Sequence, residues 1–380
     1  MKPVYLDHAA TTPVDPRVIQ KMLTLLGPDG TFGNPASRSH LYGWLAEEAV
    51  ETARRQVADL LHADPREIVF TSGATESNNL AIKGVAANHP GGHIITSSIE
   101  HKAVLDPCHW LQQQGHSVTF VPPLANGQAD IDAILASIQP DTCLMSVMHA
   151  NNETGVINPI APLADACAQK GIVFHTDAAQ TTGKLALDTS TLKADLISLS
   201  AHKIYGPKGI GALYVRRRPG FTLEAQIHGG GHERGMRSGT LASHQIAGLG
   251  EACAIAANEG NSDNQRITQL RDQLWQGISS QLTDVRINGA NSERLPGHLN
   301  VAFGGVKGDI LLTALSGLAV STGSACNSAS MKASYVLSAM GLPDDLAHAS
   351  IRFSLGRFTT HTDIDTAINE VVTTVKRLRN

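Results

Sequence analysis

Short apolar runs alternate with amphipathic segments through the middle of the chain, from about residue 68 to residue 215. This alternation is typical of crossover units, in which each strand is followed by a helix, and it predicts one α/β domain with a mainly parallel sheet. The runs predicted to be strands are residues 68–71, 93–97, 118–121, 143–148, 172–175, 196–200 and 212–215. The segments predicted to be helices are residues 45–61, 76–88, 102–114, 131–137, 160–169 and 241–258.

A polar stretch at residues 259–263, Glu-Gly-Asn-Ser-Asp, interrupts the helical pattern and predicts a break in the chain's regular structure. Beyond it we predict a helix over 265–282, a strand over 285–288, further elements at 299–303, 309–316, 334–340 and 350–354, and a closing helix over 363–377. We therefore predict a large domain of residues 13–258 and a smaller α+β domain formed by residues 1–12 together with 259–380.

Composition narrows the classes of protein. A chain of 380 residues with 42% hydrophobic residues can bury the cores of two domains. Its formal net charge is −4, and its dense basic cluster, Arg216–Arg218, is short. A nucleic-acid-binding surface needs a wider positive footprint, so no direct contact with nucleic acid is expected.

The chain shows no signal for export. Its first residues have no apolar core of signal-peptide length, and no run approaches the length of a membrane span. The five cysteines are an odd number without paired spacings, which fits a reducing compartment. We expect a cytoplasmic protein with no membrane partner.

One cysteine differs from the others in its surroundings. Cys326 lies in Ser-Thr-Gly-Ser-Ala-Cys-Asn-Ser-Ala-Ser at residues 321–330, where no apolar run offers the thiol a packing site. This pattern predicts a reactive thiol on a mobile loop, with Gly323 and the serines permitting movement. The remaining cysteines are predicted to be structural: Cys108, Cys143, Cys167 and Cys253.

Chemically useful side chains follow several predicted strands. Lys203, Asp177 and His101 each come just after an apolar run, and open α/β sheets build their sites at strand carboxyl ends. A lysine there can form a Schiff base, a carboxylate can keep a pyridine nitrogen protonated, and an imidazole can stack on a ring and move protons. The alternatives are a surface lysine and two helix-capping side chains. The amides of Asn152 and Gln180 have equivalent positions.

Two further segments favour anion binding. Residues 71–76, Thr-Ser-Gly-Ala-Thr-Glu, separate a strand from a helix, so backbone N–H groups and the Thr75 hydroxyl can converge on a phosphate; a Ser/Thr-rich helix cap is the alternative. Arg352 lies in an alternating strand with Ser350 and Ser354 on its face. Its guanidinium can hold a carboxylate through two hydrogen bonds, unless it is an exposed edge arginine.

A metal site is not expected. His228 and His232 are separated by three glycines, which fix no ligand geometry, and no cysteine or carboxylate cluster completes a tetrahedral site.

Taken together, these motifs carry a family resemblance. The segments concerned are residues 5–13, 33–37, 71–76, 175–180, 200–203, 229–240 and 324–326. With them the chain resembles, nearly end to end, the cysteine desulfurases of the class V branch of the aspartate-aminotransferase fold. The resemblance implies fold type I of the pyridoxal-phosphate-dependent transferases, with a mainly parallel seven-stranded sheet. It also implies conversion of L-cysteine to L-alanine, with the sulfur kept as a cysteine persulfide.

The resemblance assigns roles to particular residues. Lys203 bonds covalently to pyridoxal 5'-phosphate, and catalysis rests on Lys203, His101 and Cys326. The residues implied in cofactor binding are Lys203, Asp177, Gln180, His101, Ala74, Thr75, Ser200, His202, Asn152 and Thr240. Thr240 is implied to reach the phosphate of a neighbouring subunit, so a homodimer is expected. The residues implied in substrate binding are Asn34, Asn152 and Arg352.

The resemblance leaves the sulfur acceptor open. The long form of the cysteine motif resembles the mobile-loop group of desulfurases. The sequence stops at Asn380, where desulfurases that build iron–sulfur clusters carry a further tail that docks their scaffold. An acceptor protein in iron–sulfur assembly, thio-modification or DNA phosphorothioation is expected. The alternative is a selenocysteine lyase or another pyridoxal-phosphate lyase of the same fold. A catalytically silent binding protein is disfavoured, because Lys203, Asp177 and Cys326 are all present.

Overall fold

The computed structural model describes residues 2–322 and 333–380. In chain order its strands are β1 Val4–Tyr5, β2 Ile68–Thr71, β3 His93–Ser97, β4 Ser117–Val121, β5 Thr142–Ser146, β6 Val173–Asp177, β7 Leu196–Ser200, β8 Gly211–Val215, β9 Val285–Ile287, β10 His298–Phe303, β11 Leu318–Ala319 and β12 Ser350–Ser354. Its α-helices are α1 Pro16–Leu23, α2 Leu41–Leu61, α3 Ala74–Ala86, α4 Lys102–Gln113, α5 Ile131–Ala136, α6 Ala161–Lys170, α7 Ser243–Ser279, α8 Gly308–Ala314, α9 Tyr335–Ala339, α10 Asp344–His348 and α11 His361–Arg379.

A seven-stranded sheet forms the centre of the larger part of the chain. Its strand order is β2-β8-β7-β6-β5-β3-β4. Strand β8 runs antiparallel to both of its neighbours, and the other neighbouring pairs are parallel. The predicted mainly parallel sheet of seven strands is confirmed.

Helices cover both faces of this sheet. Neighbouring residues along a strand point to opposite faces, and Phe70 and Phe174 belong to one buried cluster while Val69 and Val173 belong to another. The first cluster includes side chains of α2, α6 and α7, and the second includes side chains of α3 and α4. Burial on both faces explains why these strands read as continuous apolar runs in the sequence.

A smaller antiparallel sheet has the strand order β12-β10-β9, and its side chains contribute to a third buried cluster. That cluster combines Leu6 with side chains from residue 267 to residue 375. The grouping favours a smaller domain that includes the amino terminus, although the division at residues 12 and 258 stays a prediction.

The predicted interruption at 259–263 is wrong. Helix α7 runs through these residues without a break. Arg17 pairs with Glu259, and Arg357 pairs with Asp263 at 2.7 Å, so partners from other parts of the chain stabilise the polar turn. Tertiary contacts thus override a locally weak helix signal.

In the part of the chain that the structure describes, no helix is long and apolar enough to cross a membrane.

Candidate active site

Several of the parallel strands end at one cavity of about 520 Å³. Strands β6 and β7 bring Asp177 and Ser200 to it as their last residues. Ten of the predicted site residues line this cavity: Ala74, Thr75, His101, Asn152, Asp177, Gln180, Ser200, His202, Lys203 and Arg352. The convergence of strand ends therefore brings together side chains that are widely separated in sequence.

Asp177 is held from two sides. One carboxyl oxygen, Oδ2, accepts a hydrogen bond from the side-chain amide of Asn78 at 2.7 Å. The other, Oδ1, accepts the backbone N–H of Ala179 at 2.9 Å, and because a turn rather than a helix follows β6, Asp177 does not cap a helix. Asn78 was not predicted as a site residue, since it lies within α3 and its pairing with Asp177 spans 99 residues of sequence.

Lys203 lies in the turn that follows β7, at the wall of the cavity. Its ammonium group donates hydrogen bonds to the backbone carbonyls of Ala9 and Ala10, the latter at 2.7 Å. These carbonyls belong to the segment 5–13, one of the motifs that carry the family resemblance, for which no contact with Lys203 was predicted. The side-chain amide of Gln180 donates to the same Ala9 carbonyl at 3.0 Å.

Two histidines at the cavity are held mainly in the neutral form. His101 caps α4 by accepting the N–H of Ala103 at 3.1 Å, and burial lowers its pKa. It therefore caps a helix and lines the cavity at once. Burial, with the charges of Lys203 and Lys208, lowers the pKa of His202 to about 4.

One end of the cavity suits an anion. Helix α3 begins there at Ala74, and no side chain caps its first amides. Gly73 adopts φ 150°, which favours glycine, and a side chain at Gly211 would approach its Cα to 2.7 Å. The close backbone packing holds Ser200, Thr75 and the α3 amides around one space.

The other end carries a guanidinium. Arg352 is 3% exposed and donates to the Asn152 carbonyl at 2.9 Å and to the Asp7 carboxylate at 2.7 Å. Its Nε is buried without a partner, as are Oδ1 of Asn152 and Oε1 of Gln180. Buried polar atoms of this kind are normally paired, so these three atoms indicate ligand positions.

The remaining predicted residues lie elsewhere. Asn34 is exposed and its side chain accepts the N–H of Ala36 at 2.9 Å. Thr240 is exposed and does not line the cavity. Cys326 and Gly323 lie outside the described residues.

The four other cysteines are buried free thiols: Cys108, Cys143, Cys167 and Cys253. Burial raises the pKa of Cys143 to about 11 and the pKa of each of the other three to about 12. Thiols of this kind are poor nucleophiles, which agrees with the structural role expected for them. Across residues 2–322 and 333–380, no group of three or more His, Cys, Asp or Glu side chains could hold a metal ion.

Comparison with known proteins decides the family. The profile of the family described as aminotransferase class-V matches residues 4–366. A cysteine desulfurase IscS from Shewanella sp. (strain ANA-3) is 61% identical over 379 residues, which cover 99% of this chain and 94% of that protein. This chain belongs to the cysteine desulfurases. Like the other members of its class, this desulfurase is a pyridoxal-phosphate-dependent enzyme.

Solved structures agree with this desulfurase in fold. A NifS-like protein has a TM-score of 0.91 and 36% identity, with 99% of this chain and 100% of that chain covered. A structure described as SspA in complex with cysteine has a TM-score of 0.84 and 39% identity, with 94% of this chain and 99% of that chain covered. The predicted fold type I of the pyridoxal-phosphate-dependent transferases is confirmed.

The cavity of this desulfurase fits its cofactor. An uncapped helix start suits the phosphate, the Asp177 carboxylate suits a protonated pyridine nitrogen, and the amine of Lys203 suits a covalent bond to the cofactor. The unpartnered Oε1 of Gln180 suits the ring hydroxyl group. The donor set therefore agrees with pyridoxal phosphate at each of its polar groups.

Proposed function

We propose that this desulfurase converts L-cysteine to L-alanine in the described cavity, keeps the sulfur as a persulfide on Cys326 and passes it to an acceptor protein. The observation that carries the proposal is the convergence of Lys203, Asp177, Gln180 and Arg352 on one cavity. These groups supply an amine, a ring-nitrogen partner, a ring-oxygen partner and a carboxylate partner.

The cofactor supplies the chemistry, and the residues around the cavity bind its separate groups. Bound pyridoxal phosphate supplies an electron sink that stabilises negative charge at the substrate's α-carbon. We assign Asp177 to the ring nitrogen, Gln180 to the ring hydroxyl, His101 to the ring face, and the α3 start with Ala74 and Thr75 to the phosphate. Ser200 and His202 lie at the same cavity and complete the phosphate contacts.

The substrate is oriented by its carboxylate. Arg352 is fixed by Asp7 and by the Asn152 carbonyl, and its Nε has no partner. A planar guanidinium held in this way suits two parallel hydrogen bonds to a carboxylate. We assign Arg352 and Asn152 to this contact, with Asn34 as a third contributor implied by the resemblance. Lys203 then removes the α-proton, and His101, mainly neutral because its pKa is lowered, is able to accept or return a proton.

Sulfur transfer uses the thiol of Cys326. Its thiolate attacks the substrate sulfur, the carbon–sulfur bond breaks, and the electron pair of that bond remains on carbon, where a proton completes alanine. The sulfur stays on Cys326 as a persulfide. A free thiol near pKa 8.5 is already about a few per cent thiolate at neutral pH, so little activation is needed.

The site is proposed to be completed by a second copy. An exposed apolar surface includes Phe32, Leu41, Tyr42 and Trp44, each more than half exposed. Exposed patches of this kind mark interaction surfaces. Arg54 of α2 pairs with Glu233 at 2.7 Å, so the segment that leads to Thr240 is held against the helix that also carries Leu41, Tyr42 and Trp44. We propose a homodimer through this surface, in which Thr240 reaches the neighbouring subunit's phosphate as the family resemblance implies.

We propose the cytoplasm as the place of action, because the described cysteines are buried thiols rather than disulfides. The acceptor belongs to iron–sulfur assembly, thio-modification or DNA phosphorothioation. In each case the sulfur reaches it through protein contact rather than through nucleic acid bound by this chain.

Product stoichiometry tests the function. The holoenzyme with L-cysteine and a thiol reductant should release alanine and sulfide in equal amounts. Lys203→Ala should abolish both, and Lys193→Ala, which changes a surface lysine paired with Asp165, should change neither. L-selenocysteine is run in parallel with and without Cys326. If the enzyme does not turn over cysteine, and selenocysteine reacts even without Cys326, the results favour a selenocysteine lyase instead.

A further inference from the structure

A second, smaller cavity shares Lys203 with the active site. Its volume is about 40 Å³, enough for about one or two water molecules. The titratable and charged side chains that line it are His8, Lys184, Lys203, Tyr205, Asp263, His298 and Arg357. Burial raises the pKa of Tyr205 to about 12, so its phenol adds no charge near neutral pH. Lys184 lies in the turn that follows Asp177 at the end of β6, and this turn also provides Gln180 to the active site.

This cavity has an excess of positive charge. Asp263 is the one carboxylate among its described lining residues, and it is paired with Arg357 at 2.7 Å. His298 is 3% exposed, its Nε2 has no partner, and burial lowers its pKa well below the usual value. Burial likewise lowers the pKa of His8 to about 4. Neither histidine nor Asp263 therefore offsets the charge of Lys184.

The charges of the two lysines oppose each other. Burial is the main cause that lowers the pKa of Lys184 to about 7, and the positive charge of Lys203 is the second cause. An electrostatic interaction between two groups is mutual, so the same repulsion acts on Lys203. Among the described residues, no carboxylate forms an ion pair with Lys184 that would weaken it.

The position of Lys184 is fixed by α7. The side chain of Asn264 donates to the Lys184 carbonyl at 2.6 Å. Gly260 of α7 packs closely on Gly183, the residue before Lys184. A Cβ added at Gly260 would lie 3.0 Å from the Gly183 carbonyl oxygen. The backbone of the turn that carries Lys184 is therefore packed against α7.

We propose that Lys184 is a positioning residue for the desulfurase reaction, whose positive charge disfavours protonation of the Lys203 nitrogen and so keeps it able to accept the substrate's α-proton. The proposal rests on the proposed role of Lys203 as the covalent anchor and base. Nearby cations are a known means of activating lysine nucleophiles.

The test uses the absorption of the bound cofactor in the holoenzyme. The pH midpoint of its spectral change reports protonation of the nitrogen that joins it to Lys203. Lys184→Met should raise this midpoint by about one pH unit, because one unit or more is typical of a nearby charge. Lys184→Arg keeps a positive charge throughout the titration, whereas Lys184 loses its charge near pH 7, so this variant should leave the midpoint at or below the wild-type value. Lys193→Met removes an exposed lysine and serves as the charge-matched control.

The outcomes separate the two proposals. If wild-type protein shows a cofactor band that Lys203→Ala does not abolish, the proposed role of Lys203 fails. If that band depends on Lys203 but Lys184→Met leaves its midpoint unchanged, only the role of Lys184 is overturned. Should Lys184→Met fail to fold, Lys184→Gln carries the same expected upward shift. The acid limb of the kcat profile should move in the same direction as the spectral midpoint.

Discussion

The hydroxyl group of Ser334 donates a hydrogen bond to the buried carboxyl group of Glu153. Glu153 directly follows Asn152 at the wall of the active-site cavity, and Ser334 lies just beyond residues 323–332, the stretch that contains Cys326. Ser334 also caps α9 by accepting the N–H of Leu337 at 3.2 Å. One side chain thus connects the wall of the cavity with the part of the chain that follows Cys326.

Glu153 should make stability depend on pH. It is 1% exposed, and burial raises its pKa from 4.5 to about 7. Because the folded pKa lies above the unfolded one, its contribution is fully present below about pH 4.5 and is lost as pH rises through about 7. The loss amounts to about 3 kcal/mol at 1.36 kcal/mol per unit.

Urea unfolding at about pH 5 and pH 8 measures this effect. The wild-type free energy of unfolding should fall relative to Glu153→Gln by about 3 kcal/mol over that range. Glu224→Gln, which changes an exposed carboxylate, should parallel the wild type. If Glu153→Gln also parallels the wild type, the buried carboxyl group does not titrate as described.

Replacing Arg352 by lysine should weaken substrate binding. A lysine cannot keep the contacts to Asp7 and the Asn152 carbonyl while offering two parallel donors to a carboxylate. We expect kcat/KM for L-cysteine to fall about 100-fold, mostly through KM, given about 1.5–3 kcal/mol for hydrogen bonds to charged groups.

Steady-state kinetics measure this change, with the cofactor's absorption as a check that the site is intact. Arg286→Lys, on the exposed side of β9, is the matched control and should behave as wild type. An unchanged KM in Arg352→Lys would show that Arg352 does not bind the substrate carboxylate.

Sharing of sites between subunits can be tested by complementation. Lys203→Ala and Thr240→Asp homodimers should each be nearly inactive, the second because a carboxylate would repel the phosphate. In a mixed dimer one site has Lys203 from one copy and Thr240 from the other, both intact. Co-expression should therefore restore about a quarter of the wild-type activity. Activity no greater than that of the parent variants would place Thr240 in its own subunit's site or outside it.

Most of the fold could be predicted because the central strands are buried on both faces. Strands β2, β3 and β7 have the predicted bounds, since each is a short apolar run between polar residues. Helix α7 could not be predicted as one piece, because its polar turn is stabilised by Arg17 and Arg357 from distant parts of the chain.

Some residues of the candidate site could be predicted from the sequence, and others could not. Side chains at strand ends, such as Asp177, could be predicted from position alone. The groups that hold them could not: Asp7 lies 345 residues from Arg352, and Asn78 lies 99 residues from Asp177. No local pattern indicates such pairings. The proposed role of Thr240 requires a second copy of the chain, and no pattern within one sequence describes how two copies meet.

Mass measurement of the protein after one turnover with sulfur-labelled L-cysteine tests whether Cys326 receives the substrate's sulfur. We expect one added labelled sulfur atom on the peptide containing Cys326, removable by a thiol reductant. It also predicts that Cys326→Ala keeps the yellow cofactor and gains no label. Label on Cys108, Cys143, Cys167 or Cys253, or normal sulfur release by Cys326→Ala, would contradict it.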